Sequence, residues 1–556
     1  MSLATPALVT QRAAQRLPRL ALLLFCAAYL LPGLVGRDPW RNADLTTYAT
    51  MLAMAEGRTS WLNPSLGGLA ADVAVLPHAL GAWAIQALGP LLDPALAARL
   101  PFALLLAGTL ALIWYATFHL ARTEAAQPLA FAFGGEAAPL DYARALADGA
   151  LLATIASLGL LQLGHETTPE LAQLCGVALW LWALAAAPYR EVGSRAAALL
   201  SLPALASSGA PAVAVALGIV AVLICARSAY PQVHRLTLWW LGSSVLAALA
   251  AWGFGAWHWR VSAPDSGNEV LDVLKLLLWF TWPLWPMACW TLWQWRRQWL
   301  RRHISIPLGA LAVGLGASLV MGGSDRALML ALPGLAVLAA FALPTLRRSA
   351  GALIDWFSVF FFSIAALSVW VIYSSMHLGV PAKPLANILR LAPGFVPSFS
   401  ALALGAALLG TVAWIWLVRW RTSRNRHPLW KSLVLPASGV ALTWLLTMTL
   451  WLPVLDYARS PKPWVQAIAK TVPAGQCVRA AGLSRPQVAA LEAMGAYKVI
   501  SAADAQSNLS QPCPWWLLNL RADQTAPQTP GWQLLGEARR PTDRQEKLLI
   551  YRQEGL

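Results

Sequence analysis

The chain has 556 residues, 58% of them hydrophobic and 12% charged, with a formal net charge of +16 and a pI near 10.1. In a soluble protein that basic excess would point to nucleic acid, but a mean hydropathy of +0.55 assigns most of this chain to a bilayer. The basic residues fall mainly in short loops between apolar stretches, where they meet anionic headgroups, and no nucleic-acid partner is indicated.

A spanning helix needs roughly 20 mostly apolar residues, because hydrocarbon offers its backbone no hydrogen-bond partner. By this criterion the sequence predicts about thirteen helices, at 19–35, 100–120, 146–163, 171–187, 196–206, 213–226, 236–257, 274–295, 306–321, 327–346, 353–373, 401–420 and 434–452. The fifth is short enough to be a re-entrant segment. The first is longer than a signal-peptide core and lacks a small-x-small cleavage site, so it reads as a span. Tryptophans such as Trp279, Trp282, Trp285, Trp293, Trp295 and Trp299 gather near predicted span ends, as an interfacial belt does.

Lys and Arg mark cytoplasmic loops. With the N-terminus inside, the inner loops carry Arg12, Arg16 and Arg19; Arg190 and Arg195; Arg227 and Arg235; Arg296, Arg297, Arg301 and Arg302; Arg347 and Arg348; and Arg419, Arg421, Arg424, Arg426 and Lys431. Only the loop 124–141 is not basic. An odd number of spans then puts residues 453–556 outside. Cys26, Cys175, Cys225 and Cys289 lie within predicted spans as small apolar residues. Cys477 and Cys513 are the pair in the outer tail, where a disulfide persists. No CxxC, HExxH or Cys/His cluster is present, which argues against structural zinc.

Three segments interrupt the spans with outer structure. Residues 36–99 contain the helical repeat Tyr48, Met51, Leu52 and Ala55, the apolar face of a short interfacial helix, and a second such piece at 77–88. Residues 257–275 carry His258, Arg260, Asp265, Glu269 and Asp272; residues 376–400 carry His377, Lys383 and Arg390. His165 and Glu166 read as a solvated turn. In the tail, 464–471 and 487–494 read as helices and 477–479, 497–501, 515–520, 532–535 and 548–551 as strands. The domains predicted are a transmembrane module over 1–452, with outer loop 36–99, and a small α/β domain over 453–556.

After the first span comes Arg37-Asp38-Pro39-Trp40, then Asp44-Leu45-Thr46-Thr47-Tyr48 and an apolar helix. This resembles the GT-C glycosyltransferases, in the bacterial branch around dolichyl-phosphate-mannose protein mannosyltransferases and the lipid A aminoarabinose transferase, which carry D-E-x-x-Y there. Asp44 and Tyr48 match, and the second carboxylate is Leu45. For that family's E-K-P-P-L, one reading places Asp72-Val73-Ala74-Val75-Leu76 and another Pro77-His78-Ala79-Leu80 with Trp83; both stay open. Asp148 resembles the acid that opens the family's third span. Ser324-Asp325-Arg326 with Leu332-Pro333 resembles its S-x-R…L-P pattern. In topology the resemblance covers nearly the whole chain.

The resemblance implies an α-helical polytopic inner-membrane protein of GT-C type with a periplasmic α/β domain. It implies transfer of a sugar from a polyprenyl-phosphate donor to a lipid or envelope-glycan acceptor, lipid A among the candidates, at the periplasmic face. A sugar on a phosphate already has a good leaving group. The enzyme then needs a base for the acceptor hydroxyl and cations for the departing phosphate. The expected catalytic residues are Asp44 and Asp72, with Tyr48, His78, Asp148 and Arg326 binding substrate. The resemblance names no definite cofactor and leaves a divalent metal open. Each residue also has a structural reading: Asp44 as a helix N-cap, Asp72 as a loop acid, His78 as a core histidine, Asp148 as a satisfied acid and Arg326 as a headgroup contact. A lipid-sugar transporter and a non-catalytic GT-C relative are the alternatives. No internal repeat of the spans supports transport.

Overall fold

The computed structural model of the protein describes residues 5–40, 42–257, 267–422, 428–501, 513–527, 529–543 and 545–554. His258, Arg260, Asp265, Arg424 and Arg426, named above, lie outside them. In chain order the elements begin with α1 (Arg19–Leu30), α2 (Ala43–Ala55), the hairpin β1 (Ser65–Leu66) and β2 (Leu69–Ala70), α3 (Val75–Leu88), α4 (Pro94–Ala121), α5 (Pro139–Ala156) and α6 (Leu160–Leu163). There follow α7 (Pro169–Ala186), α8 (Glu191–Ser207), α9 (Pro211–Ala226), α10 (Pro231–Gly253), α11 (Gly267–Phe280), α12 (Leu284–Gln294), α13 (Arg302–Val320), α14 (Asp325–Met329) and α15 (Leu332–Ala342). Helices α16 (Arg348–Leu378), α17 (Ala382–Leu391), α18 (Ala401–Thr422) and α19 (Lys431–Leu450) lead to the tail.

Two compact units result, and they do not follow chain order. One comprises Met1–Pro32, Phe102–Leu367 and Gly405–Leu446; the other comprises Gly33–Pro101, Ser368–Leu404 and Thr447–Leu556.

In the first unit the expected apolar stretches are helical, and proline at the start of α5, α7, α9 and α10 sets the helical φ where no amide donor is needed. Seven helices of the described chain are long and apolar enough to cross a membrane, and the bent pair α11–α12 makes an eighth if taken as one span. The other five predicted spans correspond to α1, α5, α8, α9 and the pair α14–α15. Every residue of α15 is buried. It packs on α12, α13, α5 and α7, so its apolar run reflects a protein interior rather than lipid. Close approach is permitted by Gly334, where a Cβ would come within 2.4 Å of the Pro307 carbonyl oxygen.

The sequence predicts one continuous span at 274–295, whereas the structure breaks it by an 86° bend. Pro283 cannot donate to the ladder, and the carbonyls of Phe280 and Trp282 accept instead from the amides of Gly159 and Leu158, at 2.9 and 3.2 Å. Gly159 is required there, since a Cβ would sit 2.4 Å from the Phe280 ring.

In the second unit α20 (Leu452–Arg459) and α21 (Lys462–Ala469) precede β3 (Cys477–Ala481), α22 (Arg485–Met494), β4 (Lys498–Ser501), β5 (Trp515–Arg521), β6 (Trp532–Ala538) and β7 (Glu546–Gln553). The five-stranded sheet has order β4-β3-β5-β7-β6, parallel from β4 to β5 and antiparallel from β5 to β6. Cys477 and Cys513 form a disulfide. Ser484 and Gln487 cap α22 reciprocally.

The core of this unit corrects one expectation. Helix α2 is not an interfacial helix with one wet face: residues 44 to 54 are buried, Thr46 excepted. Leu45, Ala49 and Ala53, one face at intervals of four, enter the same core as Trp464, Val478, Val488, Leu517 and Ile550 of the tail. The opposite face meets α3, where a Cβ on Gly81 would lie 2.2 Å from Met51 Sδ. The loop 36–99 and the tail are therefore halves of one hydrophobic core.

Candidate active site around Asp44

The turn that enters α2 is held by its own backbone. Asn42 occupies the N-cap position without giving a side-chain cap, at φ 72°. The Leu45 amide donates to the Trp40 carbonyl at 2.9 Å and the Thr46 amide to the Asn42 carbonyl at 3.0 Å. Asp44 lies in the first turn, where a carboxylate meets the positive end of the helix dipole. Its Oδ2 accepts the Trp40 amide at 3.0 Å and stands 3.5 Å from Arg37 Nη2. The two side chains are 1% and 0% exposed. Asp44 is thus not the N-cap. It is the counter-charge of a buried guanidinium and a clamp on the turn before the helix.

Further charges surround this pair. The Trp40 ring has the Arg37 guanidinium 4.9 Å and that of Arg459 4.8 Å from its centroid. Trp40 Nε1 donates to Asp456 Oδ1 at 2.8 Å, and the Asp38 amide to Asp456 Oδ2 at 3.4 Å. Lys462 Nζ lies 3.8 Å from Asp38. Burial pushes the Asp456 carboxyl up to about 6; the bond from Trp40 opposes this, and the charge of Asp38 adds to it. Arg99, 4% exposed, donates to the Leu34 carbonyl at 3.3 Å and lies within Coulomb range of Arg37, Asp44, Asp456 and Asp93. Tyr48, one helical turn after Asp44, is 8% exposed, and burial raises its phenol.

Arg99 and Asp456 were not singled out from the sequence. A signal existed for both: each is a charge at the edge of a long apolar helix, a position where charge is costly and commonly functional. Arg37 stood inside the quoted motif without an assigned role.

The remaining sequence-derived residues are distributed differently. Asp72 is 55% exposed and pairs with Arg485 at 3.3 Å. His78 is buried in α3, its Nδ1 has no hydrogen-bond partner among the described residues, and burial lowers it to about 4, against which Asp72 acts. In the other unit, Asp148 accepts the Leu17 amide and Trp114 Nε1, both at 2.8 Å, so it ties the N-terminal segment to α4 and α5. Arg326 Nη2 is 2.6 Å from Glu166 and Nη1 is 3.5 Å from Glu170. His165 and Glu166 are not a solvated turn. Glu166 is buried on Arg326 and Gln162, and both His165 ring nitrogens lie 2.8 Å from carbonyl oxygens, of Leu161 and Tyr29. Among the described residues no group of three or more His, Cys, Asp or Glu side chains is placed to hold a metal.

Among solved structures, the chain aligns with ArnT from Cupriavidus metallidurans bound to undecaprenyl phosphate, at TM-score 0.61 over 96% of this chain and 98% of that one, with 16% identity. The fold is that of ArnT. ArnT from the same organism in the apo state gives a TM-score of 0.59 at 15% identity over 96% of each chain. The expected architecture, a helical chain with several apolar helices long enough to span a membrane and a small C-terminal sheet domain, is borne out, and its fold is the one ArnT has. No family model and no curated protein matches the chain.

Proposed function

We propose that this protein is an inner-membrane glycosyltransferase that moves a sugar from a polyprenyl-phosphate donor to a lipid or envelope-glycan acceptor at the periplasmic face. The observation that carries this reading is a fold shared end to end with a protein solved on undecaprenyl phosphate. The acceptor hydroxyl attacks the anomeric carbon, the bond to phosphate oxygen breaks, and the acceptor proton passes to Asp44. The polyprenyl phosphate leaves with the electron pair, and the guanidiniums of Arg37 and Arg99 offset the charge that develops on it. Tyr48 orients the acceptor from the next turn of α2. Asp72 and His78 serve the acceptor side, and Arg326 and Asp148 stand as further substrate contacts. Incubating the purified protein with undecaprenyl-phospho-sugars and envelope lipid extract tests this; transfer of none of the sugars overturns it.

A second reading, a non-catalytic relative of the same fold, draws on the burial of Asp44 against Arg37 and on the surface position of Asp72. The same incubation separates the two.

A further inference from the structure

A cavity of about 250 Å³ opens within the second unit, away from Asp44 itself but on the same turn of chain: Asn42 and Leu45, which flank Asp44 in sequence, line it. The opposite walls include Trp464, Gln487, Asn519, Asp543 and Glu546. We propose that this cleft binds a neutral, hydroxyl-rich sugar ring, and, given the transferase reading above, that the ring belongs to the acceptor.

Three observations support this. Glu546 is pre-oriented: its Oε2 accepts from Gln487 Nε2 at 2.9 Å and from Asn519 Nδ2 at 3.1 Å. No other hydrogen bond of its side chain occurs among the described residues, which leaves Oε1 to a ligand donor. Asn42 holds φ 72° and ψ −128°, a conformation that non-glycine residues rarely adopt. Its carbonyl accepts from the Thr46 amide and hydroxyl, but its side chain neither caps α2 nor makes another hydrogen bond among the described residues, which leaves the side-chain amide to a ligand, and backbone strain of this kind gathers at ligand sites. The lining also alternates apolar surface, from Trp464, Leu45 and Leu548, with amide and carboxylate groups. A sugar presents the matching surface, C–H faces edged by hydroxyls that both donate and accept.

The alternatives fit less well. Among the described lining residues two carboxylates oppose the single guanidinium of Arg540, which already donates to the carbonyls of Arg459 and Ser460. A phosphate or uronate would meet Asp543 and Glu546. The volume falls below the roughly 300–1,000 Å³ of pockets that enclose drug-sized ligands, so one ring fits and an oligosaccharide does not.

The test uses the full chain in lipid nanodiscs and saturation-transfer NMR with neutral methyl glycosides (gluco, galacto and manno), with glucuronate and inorganic phosphate as anionic controls. At least one neutral glycoside is expected to bind, and both anions more weakly. Asn42→Gly removes the side chain and suits the positive φ, so it should keep or raise the melting temperature while weakening the sugar at least tenfold. Glu546→Gln should weaken it at an unchanged melting temperature. In turnover, Asn42→Gly should raise the acceptor KM and spare kcat. The sugar site is overturned if no neutral glycoside binds, if an anion binds as well, or if both variants bind like the wild type. Sugar binding with an unaltered acceptor KM in Asn42→Gly overturns the acceptor role alone. Because the binding measurement needs no donor, a failed transferase panel and an empty cleft are separate results.

Discussion

Asp44→Asn separates the structural and chemical roles of the buried pair. The charges stand 3.5 Å apart and are buried; with an effective dielectric of about 20 their attraction is about 5 kcal/mol. Removing one partner of a buried pair costs about 3–5 kcal/mol, because the other charge is left uncompensated. The amide keeps an acceptor for the Trp40 N–H, so that clamp survives. The single variant should melt well below the wild type, and its loss of turnover mixes unfolding with chemistry. Adding Arg37→Gln removes the guanidinium that Asp44 balanced and should restore much of the stability, with a coupling energy read from the four proteins of the cycle. If Asp44 is the base, the double variant stays about 10²–10⁴-fold slow per folded molecule. Thermal melting in detergent, with turnover normalised to the folded fraction on an undecaprenyl-phospho-sugar donor, measures both quantities. Recovery of turnover together with stability in the double variant would falsify the base assignment and leave Asp44 a purely structural counter-ion.

His78 and Asp456 should tilt the stability of the second unit in opposite directions with pH. The imidazole, lowered by burial to about 4, stays neutral in the fold while the unfolded chain takes up a proton, so the fold loses up to about 3 kcal/mol as pH falls from 6.5 to 4; His78→Leu should abolish that slope. The Asp456 carboxyl, raised to about 6, favours the fold at low pH and costs it up to about 2–3 kcal/mol once pH exceeds 6. Asp456→Asn should therefore raise the melting temperature at pH 7.5 and not at pH 4, and equal shifts at both would contradict the burial argument. Replacing Cys477 and Cys513 by Ser opens a link across 36 residues and should cost about 2–4 kcal/mol, read as a lower melting temperature matched by reducing the wild type.

Much of the architecture was legible because its signals are local. The strands and helices of the tail appear where period and turn residues place them, and each predicted apolar run contains a helix. Span number was less legible, since α15 and α9 carry the same apolar composition whether enclosed by protein or by lipid. The bend at Pro283 was hidden because its carbonyls are satisfied by Leu158 and Gly159, more than a hundred residues away. At the site, Asp44 was found through its motif and its partner Arg37 stands seven residues before it, but Arg99 is brought near by the folding of 33–101 on itself, and Asp456 by packing that brings residues 33–101 and 447–556 together. No spacing rule reports that.

The core shared by α2 and the tail also has a consequence for synthesis. Leu45, Ala49 and Ala53 cannot be covered until Trp464 and the strands that follow it exist, roughly 400 residues later. At about 5–20 residues per second that delay lasts tens of seconds, during which an apolar helix next to the proposed base lacks its partner. A ribosome that stalls, or a message that ends early, thus yields a polypeptide in which Leu45, Ala49 and Ala53 stay uncovered. Such a product is exposed to proteases and chaperones, and only a finished chain can mature into working protein.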